Sequence, residues 1–226
     1  EGIGTQCITK IVRENKGIKG LIAPATVDEA EIGKKIKEDI KSAVPVEKDV
    51  FVKESPYIAV VNKVKRSEIF LLESSGLKLS FLNASSPEAK DVLSRAKGIY
   101  LSSSFEDTSS IYSTAEVIKN FIGDVPVFGV GSGHLAVALA LGGSISKDMV
   151  NHYGTNHPVR DTQQGRKYIT TQSHSLVIDK RDVKGEVRFI NIVDGSIEGL
   201  TDRKRKIFSV AFQPSKEIIQ EFFSFL

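Results

Sequence analysis

After Pro56 the chain alternates short apolar runs with amphipathic stretches, and this alternation constrains the fold more than any other feature. Tyr57–Val61 reads as a strand and Ser67–Ser74 as a helix. Leu77–Leu82 is the next strand, and Pro87–Ala96 is a helix capped by Ser86. Ile99–Ser102, Val125–Val130 and the helices Thr114–Ile122 and His134–Leu141 continue the pattern. Strands that alternate with helices pair side by side through crossovers, so the expected class is α/β with an open, mostly parallel sheet and flanking helices. Beyond Gly143 strand follows strand: Tyr168–Thr171, Ser175–Ile178, Val187–Ile192 and Ile207–Phe212, with Asp194-Gly195 as a turn signal. Asn151–Val159 is expected to be a shaped surface loop, and Lys216–Phe223 a closing helix.

Ahead of this region the stretch from Pro45 to Pro56 reads as a linker. The expected division is residues 1–50, a small partial α/β segment, and residues 56–226, the main domain. Ile8, Ile11 and Val12 have helical spacing with Gly17 as a stop, and Thr26 with Glu29 forms a capping box ahead of Ile32, Ile36 and Ile40. Both stripes are expected to be core faces. The chain opens at Glu1 and not at Met, as expected of a processed or trimmed product.

With 226 residues, 40% of them hydrophobic and 26% charged, the composition is that of a globular protein and argues against disorder. Lys and Arg total 31 against 28 Asp and Glu, a net charge of +3 that gives no reason to expect nucleic acid. The basic run Arg203-Lys-Arg-Lys206 has no interleaved aromatics and reads as a solvated turn. Cys7 is the single cysteine, which excludes an intrachain disulfide and a cysteine-rich zinc site, and it is expected to be a small buried hydrophobe. No apolar run reaches the length of a membrane span, and the expected location is the cytoplasm.

In an open parallel sheet, ligands bind beyond the carboxyl ends of the strands. There the chain carries Val125-Pro-Val-Phe-Gly-Val-Gly-Ser-Gly-His134, an apolar strand that runs into a glycine-rich turn and then a helix. This is the shape of a nucleophile elbow, whose strained turn exposes one side chain while backbone N–H groups at the helix start hold an oxyanion.

With these residues the chain resembles the small, glutamine-hydrolysing chain of carbamoyl-phosphate synthase, a class I glutamine amidotransferase. Gly2–Glu14 is similar to the family's G-I-D-T-R-x-L-T-x-x-I-R-E, and Val127–His134 to V-F-G-I-C-L-G-H. Asn156–Val159 matches N-H-P-V, Gln172–His174 resembles Q-N-H, and Asp194–Gly199 resembles D-G-T-x-E-G. Ile207–Pro214 is similar to the closing F-S-V-Q-F-H-P-E. The resemblance places residues 1–50 as a remnant of the family's amino-terminal domain.

The same resemblance implies an erased catalytic triad. The nucleophilic cysteine falls on Gly131, the catalytic histidine on Gln213 and the orienting glutamate on Ser215. Glycine offers no nucleophile, an amide no general base near neutral pH, and a serine no charge to orient an imidazolium. The glutamine pocket is altered as well. Its contact glutamine falls on Leu135, its N-H-G-F run on Ser173-His-Ser-Leu176, and its glycine-rich loop on Ser102–Thr108, with Ser104 and Glu106 in place of glycines. The family's Y-D-F-G-x-K stretch falls on Val60–Lys65. Ser132 and Gly133, beside the elbow tip, complete the degenerate pocket formed by Ser104, Glu106, Leu135, Ser173, Ser175 and Leu176.

The implied reading is a pseudoenzyme: a structural or regulatory subunit without glutaminase activity. Its implied partner is the large chain of carbamoyl-phosphate synthase, and its implied pathways are pyrimidine and arginine biosynthesis. One alternative is a stand-alone ligand- or protein-binding module. Another is a hydrolase with altered chemistry that uses Ser132 or His134. No cofactor is expected. No metal is expected either, because no carboxylate or thiolate stands at ligand spacing from His152 and His157. His134 and His174 are read as packing and hydrogen-bonding residues.

Overall fold

The structure is a computed structural model that describes residues 5–14, 28, 30–32, 50–52, 56–103 and 108–226. The chain divides into two compact units, residues 1–43 and 44–226. In the first, the described helix is α1 (Thr5–Glu14). Its expected core residues Ile8 and Ile11 are 48% and 43% exposed, and Cys7 is exposed too. Helical spacing identifies an apolar face but not what covers it, so neither expectation holds. Gly17, Thr26, Glu29, Ile36 and Ile40 lie outside the described residues.

The second unit is built on a nine-stranded sheet. In chain order its elements are β1 (Tyr57–Val61), α2 (Arg66–Glu73), β2 (Lys78–Leu82), α3 (Ala89–Ser94), β3 (Gly98–Leu101) and α4 (Thr108–Ile118). Then come β4 (Val127–Val130), α5 (Ser132–Ala140), β5 (Ile145–Asp161), β6 (Lys167–Ile178) and β7 (Glu186–Asn191). The chain closes with β8 (Ile197–Asp202), β9 (Ile207–Val210) and α6 (Lys216–Phe223). The strand order is β2-β1-β3-β4-β9-β8-β7-β5-β6. Pairing is parallel from β2 to β9 and antiparallel from β9 to β6.

The parallel half has both faces covered, so its strands are apolar at successive positions. All five residues of β1 are buried. Its alternate side chains feed two clusters. Tyr57, Ala59 and Val61 join Ile99, Leu101 and Val127 beneath α3, α4 and α5. Ile58 and Val60 join Tyr100, Phe128 and Phe208 beneath α2 and α6. In the second cluster Phe128 stacks on Phe208 and Phe222 at 5.2 and 5.3 Å between centroids, and Tyr100 meets it edge-on at 5.5 Å.

The antiparallel half departs from the sequence reading in two places. The expected surface loop Asn151–Val159 is instead the body of the 17-residue strand β5, and β8 was not expected at all. Tyr168–Thr171 and Ser175–Ile178 are two ends of one strand, β6. Polar residues obscure both long strands in the sequence: β5 carries two histidines, two asparagines and a glycine. Cross-strand pairing satisfies their backbone, with register shifts between Lys147 and His152 and between Gly154 and His157. The basic run Arg203–Lys206 is an exposed turn, with Arg203 over the ring of Phe225 at 5.3 Å.

Candidate functional site

The turn from β4 into α5 has the elbow geometry. Gly131 precedes the helix at φ 55° and ψ −112°, a conformation that disfavours any residue with a Cβ. Its N–H donates to the Val210 carbonyl at 2.8 Å, and its own carbonyl accepts from the His134 N–H at 3.0 Å. The flanking glycines let strand and helix approach closely. A Cβ on Gly129 would lie 2.7 Å from the Gly133 carbonyl carbon, and one on Gly133 would lie 2.8 Å from Leu101 Cβ.

At the tip, the space a side chain would need is already filled. A Cβ built on Gly131 would meet Ser103 Oγ and would lie 2.8 Å from Ser103 Cβ. Ser103, which the sequence reading placed in the altered loop Ser102–Thr108, closes the position above the elbow. It also lines a cavity of about 30 Å³ together with Glu68, Val130, Gln172, Ser173 and Gln213. That volume suits one water-sized group and not an amino acid. A larger, open pocket of about 260 Å³ lies alongside, bordered by Tyr168, Ile169, Thr171, Gln213, Pro214 and Ser215.

The fold therefore brings together some of the expected site residues and separates others. Ser173 and Gln213 share the small cavity, and Gln213 and Ser215 share the larger pocket. Ser132 and Gly133 line a different crevice with Asn62, Ser110 and Thr114. Leu135 is 5% exposed and belongs to the core, and Leu176 packs against that core from its edge. Ser175 is half-buried on β6. Ser215 caps α6, with Oγ accepting from the Ile218 N–H at 3.4 Å. Ser104 and Glu106 lie outside the described residues.

His134 and Ser132 each engage another group. The ring of His134 is fully buried with Nδ1 2.8 Å from Ser209 Oγ, while Ser132 Oγ lies 3.5 Å from the Ser102 carbonyl. Burial pushes the His134 imidazole down to about 4, so it stays neutral at physiological pH.

Two buried carboxylates, Glu68 and Glu198, have surroundings that the sequence reading did not foresee. Glu68, on α2, accepts from Tyr100 Oη at 2.8 Å and Ser102 Oγ at 3.1 Å through Oε2. Its Oε1 is buried without a hydrogen-bond partner among the described residues. Burial raises its pKa, outweighing the Tyr100 bond and the charge of Lys65. Glu198, on β8, lies at the centre of a histidine cluster; the sequence shows it as the glutamate of the Asp194–Gly199 run, with no sign of the histidines around it.

In that cluster His152 on β5 stands directly opposite His174 on β6. His152 Nε2 is 2.6 Å from Asp194 Oδ2, and its Nδ1 is 3.2 Å from Glu198 Oε1. His174 Nε2 is 3.6 Å from Glu198 Oε2. Burial opposes charge on His152, yet the bonds to Glu198 and Asp194 prevail and raise it to about 9. Burial likewise opposes charge on Glu198, and the bonds from His152 and His174 hold it at about 2. The sequence reading of His152 as a surface-loop residue is corrected: its side chain is 2% exposed.

Comparison with known proteins agrees with the fold. The model of the family "Glutamine amidotransferase class-I" matches residues 60–218. The carbamoyl phosphate synthase arginine-specific small chain of Bacillus subtilis is 32% identical over 216 residues, covering 94% of this chain and 61% of its own length. The carbamoyl phosphate synthase small chain of Methanopyrus kandleri is 29% identical over 231 residues, with 94% of this chain and 63% of its own length covered. The chain thus spans a little over three fifths of these relatives. Among solved structures, a glutamine amidotransferase of Thermotoga maritima superposes with a TM-score of 0.54 at 13% identity, over 70% of this chain and 75% of its own. A glutamine amidotransferase of Methylobacillus flagellatus gives 0.52 at 12% identity, over 75% and 74% of the two chains, and both likenesses speak to the fold alone. Among the described residues no helix is long and apolar enough to cross a membrane. The chain belongs to the class-I glutamine amidotransferase family, and carbamoyl phosphate synthase small chains are among its curated relatives.

Proposed function

We propose that this chain is a non-hydrolysing amidotransferase-like subunit, cytoplasmic and structural or regulatory in role, which docks on the large chain of a carbamoyl phosphate synthase. Ammonia then reaches the synthase from solution and not from glutamine. Residues 56–226 are the amidotransferase-like domain in this reading, and residues 1–50 the remnant of the small-chain amino-terminal domain. The observation that carries it is the elbow. Gly131 keeps the strained backbone of a nucleophile turn, has no side chain, and lies under Ser103. Further support comes from Gln213 at the position of the base and from Ser215, whose Oγ is engaged in capping α6. A cavity of about 30 Å³ beside the elbow is also too small for glutamine.

The test mixes the purified chain with the large synthase chain of the same organism and measures light scattering and ammonia release from glutamine. The expected result is a stable complex with no glutamine turnover. Glutamine hydrolysis that disappears on Gln213→Ala would overturn the non-hydrolysing reading. Two separate species at micromolar concentration would overturn the docking.

A further inference from the structure

We infer that the buried histidine cluster between β5, β6 and β8 is a site for one divalent transition-metal ion, held by His152 Nδ1, His174 Nε2 and the Glu198 carboxylate. The ligand atoms of these three residues all lie within 4.8 Å of one another. With metal–ligand bonds of about 2.0–2.1 Å, tetrahedral ligand atoms sit about 3.3 Å apart. His152 Nδ1 is 3.2 Å from Glu198 Oε1 and His174 Nε2 is 3.6 Å from Oε2, so each ring nitrogen stands near that separation from one oxygen of the same carboxylate. Two imidazoles and one carboxylate form a set suited to Zn²⁺ and its neighbours, with one position left for water.

The orientation of the rings supports the assignment. His174 Nδ1 is 3.2 Å from the Leu176 carbonyl, which can only accept, so Nδ1 carries the proton. Nε2 is then the ring nitrogen that faces Glu198 Oε2. His152 is arranged in the same way, with Nε2–H donated to Asp194 and Nδ1 turned toward Glu198 Oε1. His152 Nδ1 and His174 Nε2 thus converge on the two oxygens of one buried carboxylate, the arrangement a shared cation would take. Asp194 and Glu198 supply two carboxylates to balance the charge of a divalent ion.

Each ligand is also held by a second group, as metal ligands commonly are. Asp194 fixes His152, the Leu176 carbonyl fixes His174, and Glu198 accepts from Ser196 Oγ at 2.8 Å and Gln172 Nε2 at 2.9 Å. His157, whose ring lies 5.2 Å from that of His152, adds a buried Nε2 with no hydrogen-bond partner among the described residues. An ion here would tie the long β5–β6 hairpin to β8. The side chain of His174, 12% exposed, offers the way in.

The experiment titrates the chelator-stripped full chain with Zn²⁺ by calorimetry, in two buffers of different ionisation enthalpy, and with Co²⁺ by visible absorption. The expected result is one ion per chain with protons released, a low-coordinate Co²⁺ spectrum and a raised Tm. Asp194→Asn, which weakens the hold on His152 and removes one balancing charge, should weaken binding about 10–100-fold. His174→Gln and Glu198→Gln should each abolish one-to-one binding, and circular dichroism checks that they fold. The inference is overturned if the wild-type chain binds no ion at sub-millimolar zinc, or if a folded His174→Gln or Glu198→Gln variant binds as tightly as wild type.

Discussion

Gly131→Ala offers the most direct test of how the elbow has been remodelled. At φ 55° and ψ −112° the new Cβ enters a backbone region that costs about 1–3 kcal/mol for a residue other than glycine. The same Cβ would stand 2.8 Å from Ser103 Cβ, well inside ordinary contact distance. Relieving that overlap displaces packed atoms, and overpacking of this kind costs about 1–3 kcal/mol. The two effects together predict a loss of about 2–6 kcal/mol, against a total stability for such domains of about 5–15 kcal/mol. Urea denaturation of four proteins reads out the terms separately: wild type, Gly131→Ala, Ser103→Gly and the double variant. Removing the Ser103 side chain should restore the packing part and leave the backbone part, giving a coupling of about 1–3 kcal/mol. A Gly131→Ala protein within about 0.5 kcal/mol of wild type would refute the strain argument, and additive single effects would refute the role given to Ser103.

Two further outcomes follow from the same geometry. Restoring the triad with Gly131→Cys, Gln213→His and Ser215→Glu together should not restore glutaminase activity, because Ser103 fills the elbow tip and Leu135 is in the core. The triple variant should also lose about 1 kcal/mol or more from the α6 cap, and measurable ammonia release from glutamine would contradict the prediction. Glu68→Gln should change the pH dependence of stability. Burial, ahead of the Tyr100 bond, raises the folded pKa of Glu68, so the native state holds its proton at pH values where the unfolded chain has released it. That contribution is complete below the unfolded value near 4.5 and is lost as pH rises through the raised folded value. The variant should therefore gain stability over wild type as pH rises above 4.5, and parallel Tm profiles from pH 4 to 8 would count against it.

The sequence by itself determined the parallel half of the sheet and the elbow. Strands buried on both faces must be apolar throughout, so Tyr57–Val61, Ile99–Leu101 and Val127–Val130 can be read without a structure. The glycines at 129, 131 and 133 mark a close approach and a positive φ that other residues resist, so the turn can be read as well. The antiparallel half was less legible. β5 lies between β7 and β6, and its polar residues are satisfied by pairing that local pattern does not announce. Tertiary structure alone decided that Ser103 lies over Gly131, that Glu68 is buried beside Gln213, and that His152, His174 and Glu198 converge from three strands. Spacing along the chain reports on neighbours within one helix or strand. These constellations arise from the order of strands in the sheet and the fold of one hairpin over another, and in each case a residue far away in sequence completes the site.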